Sequence, residues 1–263
     1  DLKLDFLSFE YDKFGSEMQN LKEKKHFDYL VTIVGEDFGP EEGLGCIYIL
    51  ENTETHERCS VKMLARTQLC GDGIASNGIG ESDGQVVPYL PTVIHIWKVA
   101  DLLEREVYDF YGIVFIGHPD MRRLFLRNDF KGYPFRKDWV FDDSYTLADD
   151  VETDYGLEYY FDRDGNLQSK HNKLFTSDDY VINIGPQHPS THGVLRLQTV
   201  LDGETVKRVY PHLGYIHRGI EKMCESMTYP QTLALTDRLN YLSAMMHRHA
   251  LVGVIEEGMG VNR

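Results

Sequence analysis

Residues 185–193 read Gly-Pro-Gln-His-Pro-Ser-Thr-His-Gly, placing His188, Ser190, Thr191 and His192 on a stretch pinned by two prolines. An imidazole titrates near neutrality and can give or take a proton, and hydroxyls can orient a polar ligand. The spacing of His188 and His192 would put both on one face of a helix, as a metal pair needs. Pro189 argues against that, because a residue before proline avoids the helical region. On residue types alone, these are solvent-facing histidines on a loop. A second candidate stretch is Asp237-Arg238-Leu239-Asn240-Tyr241-Leu242-Ser243. Arg238 and Tyr241 stand three apart and share a face of the helix expected over 238–258. On residue types alone, Tyr241 is a packing tyrosine. His247 and His249, two apart, diverge and make a poor metal pair.

The elements that must carry these groups are legible in the surrounding pattern. Residues 180–184 and 194–201 read as strands, with Val194, Arg196, Gln198 and Val200 on one face and Leu195, Leu197, Thr199 and Leu201 on the other. Asp202-Gly203 is a tight turn, and 204–210 returns as the partner strand. The first loop therefore sits at a hairpin end, a common place for chemistry. A short helix is expected over 216–227, carrying Glu221 and Lys222 and broken at Tyr229-Pro230. Asp237 then caps the helix 238–258, whose core stripe is Leu239, Leu242, Met246 and Ala250.

The first half reads as α+β. Short helices are expected within 1–25, strands over 27–34 and 45–51, and a third over 59–65 pairing with the second across a polar turn. Residues 67–85 are glycine-rich and read as a loop, while Pro88 and Pro91 keep 86–96 extended. Helix follows over 97–111, with Trp97, Ala100, Leu103, Val107 and Phe110 as its apolar stripe. Glu104, Arg105, Glu106 and Asp109 lie off the stripe and read as a solvated ion-pair face.

The chain of 263 residues has a net charge of −15 and is 42% hydrophobic, enough for packed cores. That charge excludes nucleic acid and a basic membrane-surface patch as functions. No apolar run approaches the ~20 residues that span a bilayer. Cys46, Cys59, Cys70 and Cys224 are dispersed, without a C-x-x-C, so no metal or iron–sulfur centre is expected on this chain. Residues 141–179 are dense in acid and read as a linker between two units, 1–140 and 180–263. The chain begins at Asp1, so its native start is expected to differ and a removed targeting segment stays open.

Two segments carry a resemblance. Residues 184–197, "IGPQHPSTHGVLRL", together with 211–222, "PHLGYIHRGIEK", are similar to the D-type subunit of respiratory complex I (NADH:quinone oxidoreductase). Residues 104–125, "EREVYDFYGIVFIGHPDMRRLF", resemble the C-type subunit. The whole therefore resembles the fused C/D subunit of some bacteria. The resemblance implies an α+β C-type domain over 1–140, the acidic linker, and from 180 a small antiparallel sheet followed by helices. That last part would be the start of a D-type module like the large subunit of [NiFe] hydrogenases. The charges over 104–123 would build an interface and fix the turn at 118–123. D-type subunits extend over several more helices, so a chain ending at Arg263 is expected to be inactive alone.

The function implied is part of a proton-translocating oxidoreductase. His192 and Tyr241 would donate to the quinone headgroup, His188, Ser190 and Thr191 would shape the quinone-site loop, and Arg238 would tune a [4Fe–4S] cluster held by the adjacent B-type subunit. Further partners would be the I-type ferredoxin-like subunit and the membrane H-type subunit, on the cytoplasmic side of the bacterial inner membrane. No cofactor is expected on this chain itself. A related hydrogenase-type complex is one alternative, but its D-R-x-C-x-x-C segment here has Asn240 and Ser243 in place of thiolates. Amide and hydroxyl are poor ligands for soft nickel. A non-catalytic assembly module is the other alternative.

Overall fold

The computed structural model describes residues 6–69, 86–127, 130–140, 155–176, 179–187, 194–237 and 239–261. The chain divides into two compact units, Asp5–Ile216 and, after it, His217–Arg263. The first unit mixes helices and strands and the second is helical among the described residues, so the chain is α+β.

In the first unit, β1 (Leu7–Ser8) precedes a 3₁₀ turn and α1 (Phe14–Glu23). Phe14, Met18 and Leu21 fall at i, i+4 and i+7 and are all buried. Three antiparallel strands follow, β2 (Tyr29–Asp37), β3 (Leu44–Glu51) and β4 (Arg58–Leu64), in the order β1-β4-β3-β2. Cys46, Tyr48 and Leu50 alternate on the buried face of β3. A register shift between Leu30 and Thr32 lets Leu30 and Ile33 both point inward from β2. The turn between β3 and β4 is tied by the Asn52 side chain, which accepts from the amides of Glu54 and Thr55 at 2.9 and 3.1 Å.

A second sheet comprises β5 (Arg66–Leu69), β6 (Val86–Pro91) and β7 (Val114–Ile116). Residues 67–69 are thus strand where loop was expected, and 70–85 lie outside the described residues. Strands β6 and β7 are parallel, so their connection must cross over, and α2 (Ala100–Tyr111) makes it. Gly112 ends α2 in the left-handed region at φ 70°, and a Cβ there would stand 2.5 Å from Tyr133 and 2.6 Å from Arg136.

Next comes the hairpin β8 (Tyr155–Phe161) and β9 (Leu167–Lys173), inside the stretch expected to be a solvated linker. Tyr159 and Leu167 belong to the same hydrophobic core as α1, β2–β4, β6, α2 and β7. Alternation over Leu157, Tyr159 and Phe161 organises this segment, and the acid run that suggested a linker stops before it. Residues 141–154 lie outside the described residues. The unit's last sheet joins β10 (Tyr180–Ile184), β11 (Arg196–Asp202) and β12 (Thr205–His212), as the alternation predicts.

The second unit contains α3 (Ile220–Glu225), α4 (Tyr229–Thr236) and α5 (Ala244–Gly258). Tyr229-Pro230 starts a helix rather than only breaking one, because proline suits the first turn and Thr228 and Gln231 form a capping box. The helix expected from Arg238 begins only at Ala244. Asn240 is extended, and its side chain accepts from the Leu242 amide at 3.2 Å, an alternative to helical pairing. The expected core stripe is exposed, Leu242 at 84% and Met246 at 70%. Within this unit α5 packs against α4, too little to cover both of its faces.

The close approach at Gly112 sets a stability test. Gly112→Ala combines left-handed strain with a clash against Tyr133 and Arg136, whereas Gly43→Ala, at φ 81° with open space around it, brings strain alone. In chemical denaturation, Gly43→Ala should lose on the order of 1 kcal/mol and Gly112→Ala clearly more. Equal losses would mean that Tyr133 does not pack against Gly112.

Candidate functional site

The two loop stems that present the 185–193 stretch are well placed. Ile184 pairs with Leu197, and Leu197 with Pro211 across β11. Gly185 has φ 91°, and a Cβ on it would stand 1.9 Å from the Leu195 carbonyl oxygen, so only glycine fits. Arg196 steadies the neck by donating to the Asn183 side-chain oxygen from Nε and Nη2 at 3.3 and 3.1 Å. His188, Ser190, Thr191 and His192 themselves lie outside the described residues, as does Arg238. Tyr241 is described in its backbone alone, at the start of the 3₁₀ turn Tyr241–Ser243. The side chains expected to meet the quinone therefore lie outside the described residues, and the two donors belong to different units.

Around Tyr241, the groups standing where a hydrogenase would carry thiolates make local hydrogen bonds. Asn240 caps Leu242, and the Ser243 hydroxyl lies 3.0 Å from His247 Nε2. Asp237 pairs with Arg248. Among the described residues, no group of three or more His, Cys, Asp or Glu could hold a metal ion.

A second charged constellation, on α2, corrects the expectation of a solvated face. Glu104 and Asp109 are 0% exposed and Arg105 7%. Arg105 does not pair with Asp109 one turn away. Its Nε and Nη2 donate to the carbonyls of Arg122 and Arg123 at 3.0 and 3.1 Å. Asp109 instead takes Arg123 Nη1 on Oδ1 at 2.8 Å and the amides of Leu124, Phe125 and Leu126 on Oδ2 at 3.0, 2.7 and 2.9 Å. Arg123 also donates to the carbonyls of Phe130 and Gly132 at 3.2 and 2.8 Å, and it stacks on Tyr133 at 5.1 Å. The neighbouring Arg122 is held bidentately by Asp120. Burial raises the Asp120 carboxyl, but the Arg122 and Arg105 guanidiniums outweigh it and keep it below the usual carboxylate range. His118 Nδ1 accepts from the Asp120 amide at 3.0 Å, so Nε2 carries the proton and donates to the Asp101 carbonyl at 3.2 Å. These charges thus fix the turn at 118–123, as expected of them, but from inside the protein, and Asp109 also holds the amides of 124–126.

Glu104 is different, because among the described residues no guanidinium answers it. Oε2 accepts from the Thr92 hydroxyl at 2.6 Å and Oε1 from the Val93 amide at 2.7 Å, fastening the end of β6 to α2. Burial pushes its carboxyl from 4.5 up to about 7, against the lowering effect of those two donors and of His118, with Asp101 adding to the rise. Nothing in the α2 sequence announces this burial, because the partners that answer Asp109 lie in the 123–126 segment.

Comparison with known proteins now decides the family. Residues 7–145 match the model for "Respiratory-chain NADH dehydrogenase, 30 Kd subunit". The chain belongs to this family. It is also similar to the C/D subunit of the NADH-quinone oxidoreductase of Phocaeicola vulgatus, 50% identical over 255 residues, covering 95% of this chain and 45% of that protein. The C/D subunit from Bacteroides fragilis is 47% identical, covering 93% of this chain and 45% of its own length. A C/D subunit from Aquifex aeolicus is 34% identical, covering 92% and 40%. The chain thus spans about half the length of the curated relatives it matches or less. Among the described residues no helix is long and apolar enough to cross a membrane.

The raised Glu104 carboxyl has a signed consequence in this complex I family member. Below pH 4.5 the group is protonated folded or unfolded, and its contribution is fully present. As pH rises the unfolded chain loses the proton first, so stability falls by up to ~1.4 kcal/mol per pH unit until about pH 7, on the order of 3 kcal/mol in all. Glu104→Gln should remove that slope: its stability relative to the parent should improve from pH 5 to about pH 7 and then level off in urea titrations. A constant difference across that range would place Glu104 in a more polar setting than its burial implies.

Proposed function

We propose that this chain works in the peripheral arm of a proton-translocating NADH:quinone oxidoreductase and contributes donors to its quinone-reduction site. One observation carries the reading. Similarity to the named C/D subunit of Phocaeicola vulgatus covers 95% of the chain, so it continues beyond residue 145 through the part that carries His192 and Tyr241. On this reading a C-type module over 1–140 acts as scaffold and a D-type module from 180 carries the site.

Quinone reduction takes up two electrons and two protons. The chain's task is to hold the headgroup by its two carbonyl oxygens and to deliver protons as charge develops there. His192 is the imidazole donor and Tyr241 the phenolic donor. His188, Ser190 and Thr191 shape the loop whose neck Gly185 closes. Arg238 presents a fixed positive charge toward a [4Fe–4S] cluster of the neighbouring B-type subunit, which would supply the electrons. The I-type and H-type subunits would complete the setting, peripheral to the cytoplasmic side of the bacterial inner membrane. In this scheme the N-terminal charges are spent internally, since Asp109, Arg105 and Arg123 all face backbone or one another. A metal-bearing hydrogenase-type site has no support in the hydrogen bonding of Asn240 and Ser243.

The test is a ratio of activities in the purified complex containing the intact protein. Tyr241→Phe keeps the ring and removes the hydroxyl, so quinone-linked turnover should fall by ~10²–10⁴. His192→Ala should weaken quinone binding as well. NADH oxidation by ferricyanide uses other subunits and should be unchanged in both. A parental ratio of quinone-linked to ferricyanide-linked activity in both variants would refute the assignment.

A further inference from the structure

The neck of the β10–β11 loop and the exit of β12 share one end of their sheet, because Ile184, Leu197 and Pro211 lie side by side across it. At that end the sheet meets the segment that α2 holds. The chain leaving β12 passes so close to Phe125 that a Cβ on Gly214 would stand 1.7 Å from the Phe125 carbonyl oxygen and 2.6 Å from its carbonyl carbon. Four residues earlier, the Tyr210 ring lies 5.2 Å from the Arg122 guanidinium and meets Phe175 edge-on at 5.5 Å. Both Phe125 and Arg122 are tethered by hydrogen bonds. The Phe125 amide is bound to Asp109 at 2.7 Å, the Arg122 carbonyl to Arg105 at 3.0 Å, and the Arg122 guanidinium to Asp120. The neck is equally tight, since Gly185 has no room for a Cβ against Leu195.

We propose that this seam, Phe125 against Gly214 and Arg122 on Tyr210, makes residues 120–126 a positioning element for the neck of the loop that carries His192. The proposal rests on the reading of His192 as a headgroup donor. The seam touches no substrate. It acts by fixing the sheet end from which the loop departs, so disturbing it should alter how well the site fits the quinone. A displacement of about 1 Å at a reacting geometry is enough for effects up to ~10²-fold.

The test uses the intact protein in its purified complex and a soluble short-chain quinone. Gly214→Ala forces the exit of β12 away from Phe125, and the KM for quinone should rise roughly tenfold, with kcat and the ferricyanide-linked rate little changed. Gly203→Ala lies in the turn at the opposite end of the same sheet, where a Cβ meets open space, and should leave that KM unchanged. A parental KM in Gly214→Ala overturns the proposal. So do equal rises in both variants, which would indicate general softening of the sheet. Should Gly214→Ala fail to assemble, Arg122→Gln takes its place, removing the contact on Tyr210 without crowding; a higher KM supports the seam and an unchanged one overturns it. His192→Ala measured alongside separates the two layers. If it leaves quinone turnover and KM intact, the functional reading itself fails. If it impairs them while the seam variants do not, the seam proposal alone fails.

Discussion

The carboxylate of Asp109 sits where water cannot reach it, and much of the N-terminal half is arranged as its solvation shell. One guanidinium and three consecutive amides, from Leu124, Phe125 and Leu126, point at its two oxygens. An isolated charge in such a place would cost many kcal/mol, and a well-made shell of donors removes most of that penalty. Arg123, the charged partner, is completed by the carbonyls of Phe130 and Gly132 and the ring of Tyr133. The result is a cross-link between α2 and an irregular segment that has little secondary structure of its own. Buried pairs of this kind add little net stability over apolar packing. What this one secures is the path of the chain over 122–127 and 130–132.

That path matters for the elements later in the chain. The hairpin of β8 and β9 docks on the same region, with the Gly117 and Met121 amides bound to the carbonyls of Tyr159 and Leu157 at 3.4 and 2.5 Å. Beyond the hairpin, the β10–β12 sheet leans on Phe125 and Arg122. Fixed charge inside the first half is thereby linked by backbone contacts to the neck of a loop in the second. A chain that fuses both halves keeps this contact at high effective concentration, whatever the strength of the seam alone.

Regular elements were legible wherever one periodicity ruled. Strands β3 and β4 alternate in burial, the spans of β10–β12 were found although Gln198, Thr199 and Val200 are buried in succession, and α2 shows its apolar stripe. Burial of charge was not legible, because it depends on partners 14 to 17 residues away in a segment without periodicity. Composition misled over 155–173, where nearby acid masked the alternation of Leu157, Tyr159 and Phe161. Helix propensity misled at 239–243, where Asn240 bonds its own backbone neighbourhood instead. The exposed Leu242 and Met246 show the limit of stripe reading, since an amphipathic pattern says what a helix can bury and not whether a partner is present. Of the candidate site, the motif spacing located the loop and its glycine neck, while the imidazoles themselves are known from sequence alone.

The central claim is that the Asp109 shell is the fixed point of the N-terminal half. Amide hydrogen exchange at Leu124, Phe125 and Leu126 measures it directly. These amides lie outside any helix or strand, and each donates to the buried carboxylate. The account predicts that all three exchange as slowly as the amides of β3, through opening of the whole unit. Exchange at the rate of an exposed turn would contradict it.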